Sequence, residues 1–150
     1  MAILITDVEL VSTDSFGGQG NNFSWYESWM GGFYPFSSDG SQISFYSSAS
    51  NFVSGDTNGV IDVFIKNITT GALIRVSTDS VGTQVNGNSW HPAFSPDGTN
   101  IAFYSEATNL VSGDTNGWGD VFVKNLSTGA VTRISTDSAG IQANSASDVP

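Results

Sequence analysis

Ser112-Gly-Asp114-Thr-Asn116-Gly-Trp118-Gly-Asp120-Val-Phe-Val-Lys124-Asn-Leu-Ser-Thr-Gly129 is a stretch that the chain states twice. Its earlier form is Ser54-Gly-Asp56-Thr-Asn58-Gly-Val60-Ile-Asp62-Val-Phe-Ile-Lys66-Asn-Ile-Thr-Thr-Gly71. Asp62 and Asp120 stand 58 positions apart, and 19 of the 27 positions in 54–80 are identical in 112–138. The differences are mostly exchanges such as Ile for Val or Ser for Thr, so the two copies are units of a structural repeat with one local structure.

Working outward, each unit reads as four short strands. Phe33 to Phe36 and His91 to Phe94 are short apolar runs, closed by the turns Ser37-Ser-Asp-Gly40 and Ser95-Pro-Asp-Gly98. Pro presets φ, Asp bonds its own turn and Gly accepts a positive φ. Gln42 to Ser47 and Asn100 to Ser105 are second strands, and Asp62 to Asn67 and Asp120 to Asn125 are third strands. Hairpin turns at Gly71 and Gly129 lead into fourth strands, Ala72 to Ser77 and Ala130 to Ser135. Each repeat is thus expected to be a four-stranded antiparallel meander, which suits a β-propeller blade.

The chain divides accordingly into a partial repeat strand (1–12), a first blade (13–77), a second blade (78–135) and a loop toward a further blade (136–150). Ser12 to Phe36 is seven residues longer than Ser77 to Phe94, which assigns an inserted loop to 15–32. Phe94-Ser-Pro-Asp-Gly98, the Asn-Ile-Ala-Phe strand after it, Asp120-Val-Phe-Val, Asn-Leu-Ser-Thr-Gly129 and Arg133-Ile-Ser resemble the WD40-like PD40 repeat of TolB-type β-propellers. The resemblance runs from about Glu9 to the end, with Ser38 replacing the turn proline in the first copy. It implies an all-β propeller fold, a fold that peptidases, lyases and pure binding modules share.

Two blades leave two sheet faces open, whereas propellers close with four to eight. Closure is expected either from copies of the chain, a trimer giving six blades or a tetramer eight, or from further blades of a longer array.

Composition narrows the partners. A chain of 150 residues can bury the core of one domain, and twelve per cent aromatics argues for packing rather than disorder. Without Cys there is no thiol nucleophile, thiolate zinc site or disulfide. A net charge of −10, with Lys66, Arg75, Lys124 and Arg133 as the whole cationic complement, argues against nucleic acid. No apolar run approaches the length of a membrane span. An extracellular or periplasmic setting is expected.

Three groups of residues are candidates for chemistry. Ser54, Asp56, Asn58, Val60 through its carbonyl, and Asp62 place oxygens with the alternation of a short calcium loop, as do Ser112, Asp114, Asn116, Trp118 through its carbonyl, and Asp120. These loops resemble the Asp-rich calcium loops of integrin-type propellers, with Ser where Asp normally opens the loop, so Ca2+ is expected to bind weakly. The alternative is a plain turn in which Asp62 and Asp120 bond backbone N–H groups.

The second group, Trp25, Tyr26, Glu27 and Trp29, suits stacking on sugar faces, or covers an end blade or a contact between chains. Trp90 and His91 at the start of the second blade complete the candidate ligand residues; His91, the only His, is expected to be structural. No nucleophile, base and acid converge in the sequence, so no catalytic residue is assigned. The expected function is a non-enzymatic structural or binding module. The alternatives are a fragment of a carbohydrate-active propeller enzyme or peptidase, and a glycan-binding lectin. The loops before the first strands, 15–32 and 80–89, are the expected ligand surfaces.

Overall fold

The computed structural model describes residues 10–26 and 35–147. They form eight strands in two four-stranded antiparallel meanders. The first comprises β1 (Ser24–Trp25), β2 (Gln42–Ser47), β3 (Asp62–Asn67) and β4 (Leu73–Arg75); the second comprises β5 (Ser89–Phe94), β6 (Asn100–Ser105), β7 (Asp120–Asn125) and β8 (Val131–Arg133). The fold is all-β, with two sheets of the propeller-blade type. Most of Ile3 to Ser12, and Glu27, Trp29 and Pro150, lie outside the described residues.

Strand alternation gives each sheet two faces. On the second sheet Ile101, Phe103, Phe122 and Lys124 share the face that meets the first sheet; the registers Phe103↔Phe122 and Ile101↔Lys124 align them. The opposite face of the first sheet contributes Val63 and Ile65, which are buried against that cluster together with Val76 and Val85. A smaller core of Phe45, Ala49, Phe52, Phe64 and Leu73 lies on the far side of the first sheet, beneath Val11 and Val53.

The strand registers locate the seven-residue insertion differently from the sequence alone. Trp25 pairs with Tyr46 as Trp90 pairs with Tyr104, and Ser24 pairs with Ser47 as Ser89 pairs with Ser105. Residues 13–25 therefore match 78–90 without a gap. The extra residues fall after Trp25, where the second sheet has a bulge between Trp90 and Ala93 and holds His91 at φ 54°. Bulges admit extra residues by re-aiming the strand, which explains why an insertion is tolerated there.

Candidate functional site: arginine-stapled loops and an aromatic edge

The repeated Asp loops are built around an arginine from the fourth strand. The register Phe64↔Arg75 puts Arg75 on the same face as Asp62, and the loop before β3 brings Asp56 to it. Arg75 Nη1 lies 3.1 Å from Asp56 Oδ1 and 3.3 Å from Asp62 Oδ2. Arg133 Nη1 repeats this at 3.1 Å from Asp114 Oδ1 and 3.5 Å from Asp120 Oδ2. All four carboxylates are nearly inaccessible, with side-chain exposures of 4%, 1%, 2% and 0%.

The second oxygen of each inner Asp is also taken. Ser77 Oγ donates to Asp62 Oδ1 at 2.5 Å, and Ser135 Oγ donates to Asp120 Oδ1 at 2.6 Å. The Asn58 amide donates to Asp62 Oδ2 and to the Val85 carbonyl, while its oxygen accepts from the Val60 N–H. Asn116 makes the same three contacts with Asp120, Ala143 and Trp118.

Burial pushes the Asp56 and Asp62 carboxyls above the usual range, and the neighbouring Asp62 charge adds to the effect on Asp56; Arg75 opposes the rise in both. Burial and the Asp120 charge raise Asp114 likewise, against Arg133. Mutual repulsion between buried carboxylates is thus offset by one guanidinium per loop.

As placed, the residues do not fit a calcium ion. The inner carboxylate oxygens face arginine, serine and an amide N–H, and the Asn oxygens accept from the backbone. Ser54 and Ser112 are exposed, as is Trp118 at 51%. Among the described residues, no cluster of three or more His, Cys, Asp or Glu side chains could hold a metal. The sequence reading missed Arg75 and Arg133 because they lie 13 residues beyond Asp62 and Asp120 and arrive only through the hairpin. The signal that could have found them is the scarcity of cations: each repeat keeps one Arg and one Lys at matching positions.

Each lysine clasps the segment that leads into its own sheet. Lys124 Nζ donates to the Thr78 carbonyl at 2.9 Å and the Asp79 carbonyl at 3.1 Å, and also to the Thr78 hydroxyl. Lys66 holds Thr13 and Asp14 in the same way. Burial pulls the Lys124 ammonium below its ordinary value, with Asp79 opposing.

The aromatic candidates form a strip along the first strands. Trp25 stacks on Tyr46 at 5.6 Å between ring centroids, and Tyr46 meets His91 edge-on at 6.0 Å. Trp90 packs on Tyr104 at 5.5 Å, and a shallow pocket joins this pair to His91, Glu106 and Ala146. Trp25 is 40% exposed and Tyr26 62%. An apolar groove of about 260 Å³ lies beside them, lined by Leu10, Val11, Trp25, Tyr26, Ile43 and Phe45. The strip thus brings together Trp25, Trp90 and His91.

No known family model matches the chain, and no curated protein matches it significantly. Solved structures do. The putative TolB from Agrobacterium tumefaciens is 25% identical with a TM-score of 0.47, and the match covers 69% of this chain and 29% of that one. TolB from Acinetobacter baumannii is 22% identical with a TM-score of 0.44, covering 68% and 20%. Both bear the name of the family that the Phe94 to Arg133 motifs resemble, and the chain spans less than a third of either protein.

Proposed function

We propose that the chain is a non-enzymatic β-propeller module whose two open sheet faces are covered by further copies of itself, three or four chains closing a ring. One observation carries this reading: the apolar residues that the first sheet buries against the second are opened at the equivalent positions of the second sheet, which has no following sheet against it among the described residues. Val76 is 1% exposed beneath the second sheet, whereas Ile134, its equivalent 58 positions on, is 50% exposed. An apolar face of this kind matches the chemistry of the one already buried inside the chain. Every cation that the sequence supplies is committed to holding loops or connectors, which supports a structural role for the charged groups. The aromatic strip on the first strands is the surface for a glycan or protein ligand.

Mass measurement by light scattering at micromolar concentration tests the ring: trimers or tetramers of the 15.8 kDa chain are expected, and a lone 15.8 kDa species overturns the reading. In this proposal the stiffness that the loop spacing assigns to calcium is supplied by arginine. Calcium at several millimolar should therefore leave the thermal midpoint unchanged, and a clear rise would show that the arginines give way to metal.

A further inference from the structure

The segment joining the two sheets bonds on both sides. Toward the preceding sheet, Ser77 donates to Asp62, Gln84 donates to Thr57, and the Val85 carbonyl accepts from Asn58. Toward the following sheet, the Thr78 and Asp79 carbonyls accept from Lys124, and the Gln84 carbonyl accepts from Asn109.

The chain carries this connector twice more, and each extra copy makes one half of the set. Residues 10–24, the head, make the forward half: the Thr13 and Asp14 carbonyls accept from Lys66, and the Gln19 carbonyl accepts from Asn51. Residues 134–147, the tail, make the backward half: Ser135 donates to Asp120, Gln142 donates to Thr115, and the Ala143 carbonyl accepts from Asn116. The polar residue types correspond: Ser12 to Ser135, Gln19 to Gln142, Ser24 to Ser147. The same short bridge closes all three, as Thr13↔Gln19, Thr78↔Gln84 and Thr136↔Gln142.

If a second copy continues the stack, its head and the tail of the first copy require the same place. The geometry points to an exchange in which the head of one copy displaces the tail of the preceding copy and takes over its contacts with that copy's second sheet. This inference rests on the head-to-tail reading above, and its template is the interface already present between the two sheets.

One feature selects the head as the segment that stays, and a second shows that the staple survives the exchange. A Cβ on Gly20 would lie 2.5 Å from Phe52 Cζ, so Ala143 in its place would force that ring to move. Arg133 precedes the exchange point, so Asp114 and Asp120 keep their cation. Val11 then occupies the position of Ile134, as Val76 does between the sheets, while the incoming Ser12 and Gln19 replace the donors that Ser135 and Gln142 withdraw. The bonds exchanged are equivalent, and the apolar face gains cover.

Because the chain has no Cys, paired cysteines report which segment is seated. Thr115 Oγ1 lies 2.9 Å from Gln142 Nε2 within one chain, and exchange would set Thr115 beside Gln19 of the neighbour. Two full-length variants, Thr115→Cys with Gln142→Cys and Thr115→Cys with Gln19→Cys, are treated with a short bismaleimide after separating assembled from monomeric protein. In the assembled fraction the Gln19 pair should give covalent dimers and larger species, and the intrachain product of the Gln142 pair should be lost. Retention of that product, with no covalent dimer from the Gln19 pair, overturns the exchange while leaving the assembly standing. A protein that is wholly monomeric overturns the head-to-tail reading and the exchange with it.

Discussion

The two sheets carry the same staple in different surroundings. Arg75 and Arg133 hold their Asp pairs at nearly the same distances, and the four carboxylates are equally buried, although only the first sheet has a following sheet against it. Burial of the apolar face behaves otherwise, since Val63 and Ile65 are fully covered while Val121 and Val123 stay partly open. A blade of this type therefore supplies its own electrostatics and relies on a neighbour for apolar cover. Charge pairing fixes the shape of the loop within a unit, and hydrophobic area joins units.

The largest effect that can break this comparison is removal of a staple. Arg75→Met leaves Asp56 and Asp62 buried without a cation, a change of the kind that costs about 3–5 kcal/mol. Arg133→Met should cost a similar amount if the staple is self-contained; a much smaller loss would show that it depends on the neighbouring sheet. The pH dependence follows from the raised carboxyls. Without arginine they rise further above their unfolded value, so the folded variant binds protons that the unfolded chain releases, and its stability increases as pH falls toward the unfolded carboxylate range. Denaturant unfolding should show the deficit relative to wild type narrowing from pH 7 to pH 5, and a deficit constant over that range would contradict the account.

The apolar half of the comparison predicts an intermediate effect. Val76→Ala removes methyl groups from a closed site and should cost about 2 kcal/mol, whereas Ile134→Ala, although it removes more atoms, should stay within about 0.5 kcal/mol in dilute monomer. Equal losses would mean that the exposed face is already packed in solution. Val121→Asp sharpens the contrast: monomer stability should change little, and the assembled fraction measured by light scattering should disappear.

Much of this was legible because the repeat is local. The second and third strands lie at the residues read from the sequence, Gln42–Ser47, Asp62–Asn67, Asn100–Ser105 and Asp120–Asn125, because alternation and flanking turns define them without help from elsewhere. The fourth strands are shorter than expected, Leu73–Arg75 and Val131–Arg133: Val76 and Ile134 still donate to the Val63 and Val121 carbonyls, but the Val63 and Val121 N–H groups donate to the hydroxyls of Ser77 and Ser135 in place of a backbone partner, which ends the ladder. Two things were less legible. The place of the insertion does not follow from Phe36 and Phe94, since a gap anywhere between Ser12 and Phe36 leaves those anchors aligned; the gap-free likeness of Ser12 to Trp25 with Ser77 to Trp90 carries the signal, and the pairing of Trp25 with Tyr46 locates it. The partner of the Asp loop was hidden because spacing within the loop suits an external cation and an internal one equally well. The hairpin that carries Arg75 back brings in a cation that the loop spacing does not reveal.

The smallest effect concerns the turns, where the units differ by one residue. Asp39 Oδ1 accepts from Ser37 Oγ at 2.6 Å and from the Ser41 N–H at 3.0 Å, and Asp97 Oδ1 accepts from Ser95 Oγ at 2.5 Å and from the Thr99 N–H at 3.0 Å. Gly40 and Gly98 take φ of 70° and 69° and donate to the Ser37 and Ser95 carbonyls, each at 2.8 Å. The geometry is the same with Ser38 in one turn and Pro96 in the other, so the Asp bonds rather than the proline set it. Those bonds, the Ser37 hydroxyl first, hold the Asp39 carboxyl down to about 2, so its stabilising share is present above the unfolded value of 3.8 and is lost as pH falls through about 2. Since the Ser38 site already has the conformation that Pro96 occupies, Ser38→Pro should stabilise by about 0.4–1 kcal/mol by restricting the unfolded chain. That gain should persist below pH 2, where the Asp39 share has gone, because it does not arise from the turn's hydrogen bonds. Thermal unfolding at pH 7 and below pH 2 separates the two contributions, and a Ser38→Pro gain that vanished with the Asp39 charge would show that proline acts through the turn after all.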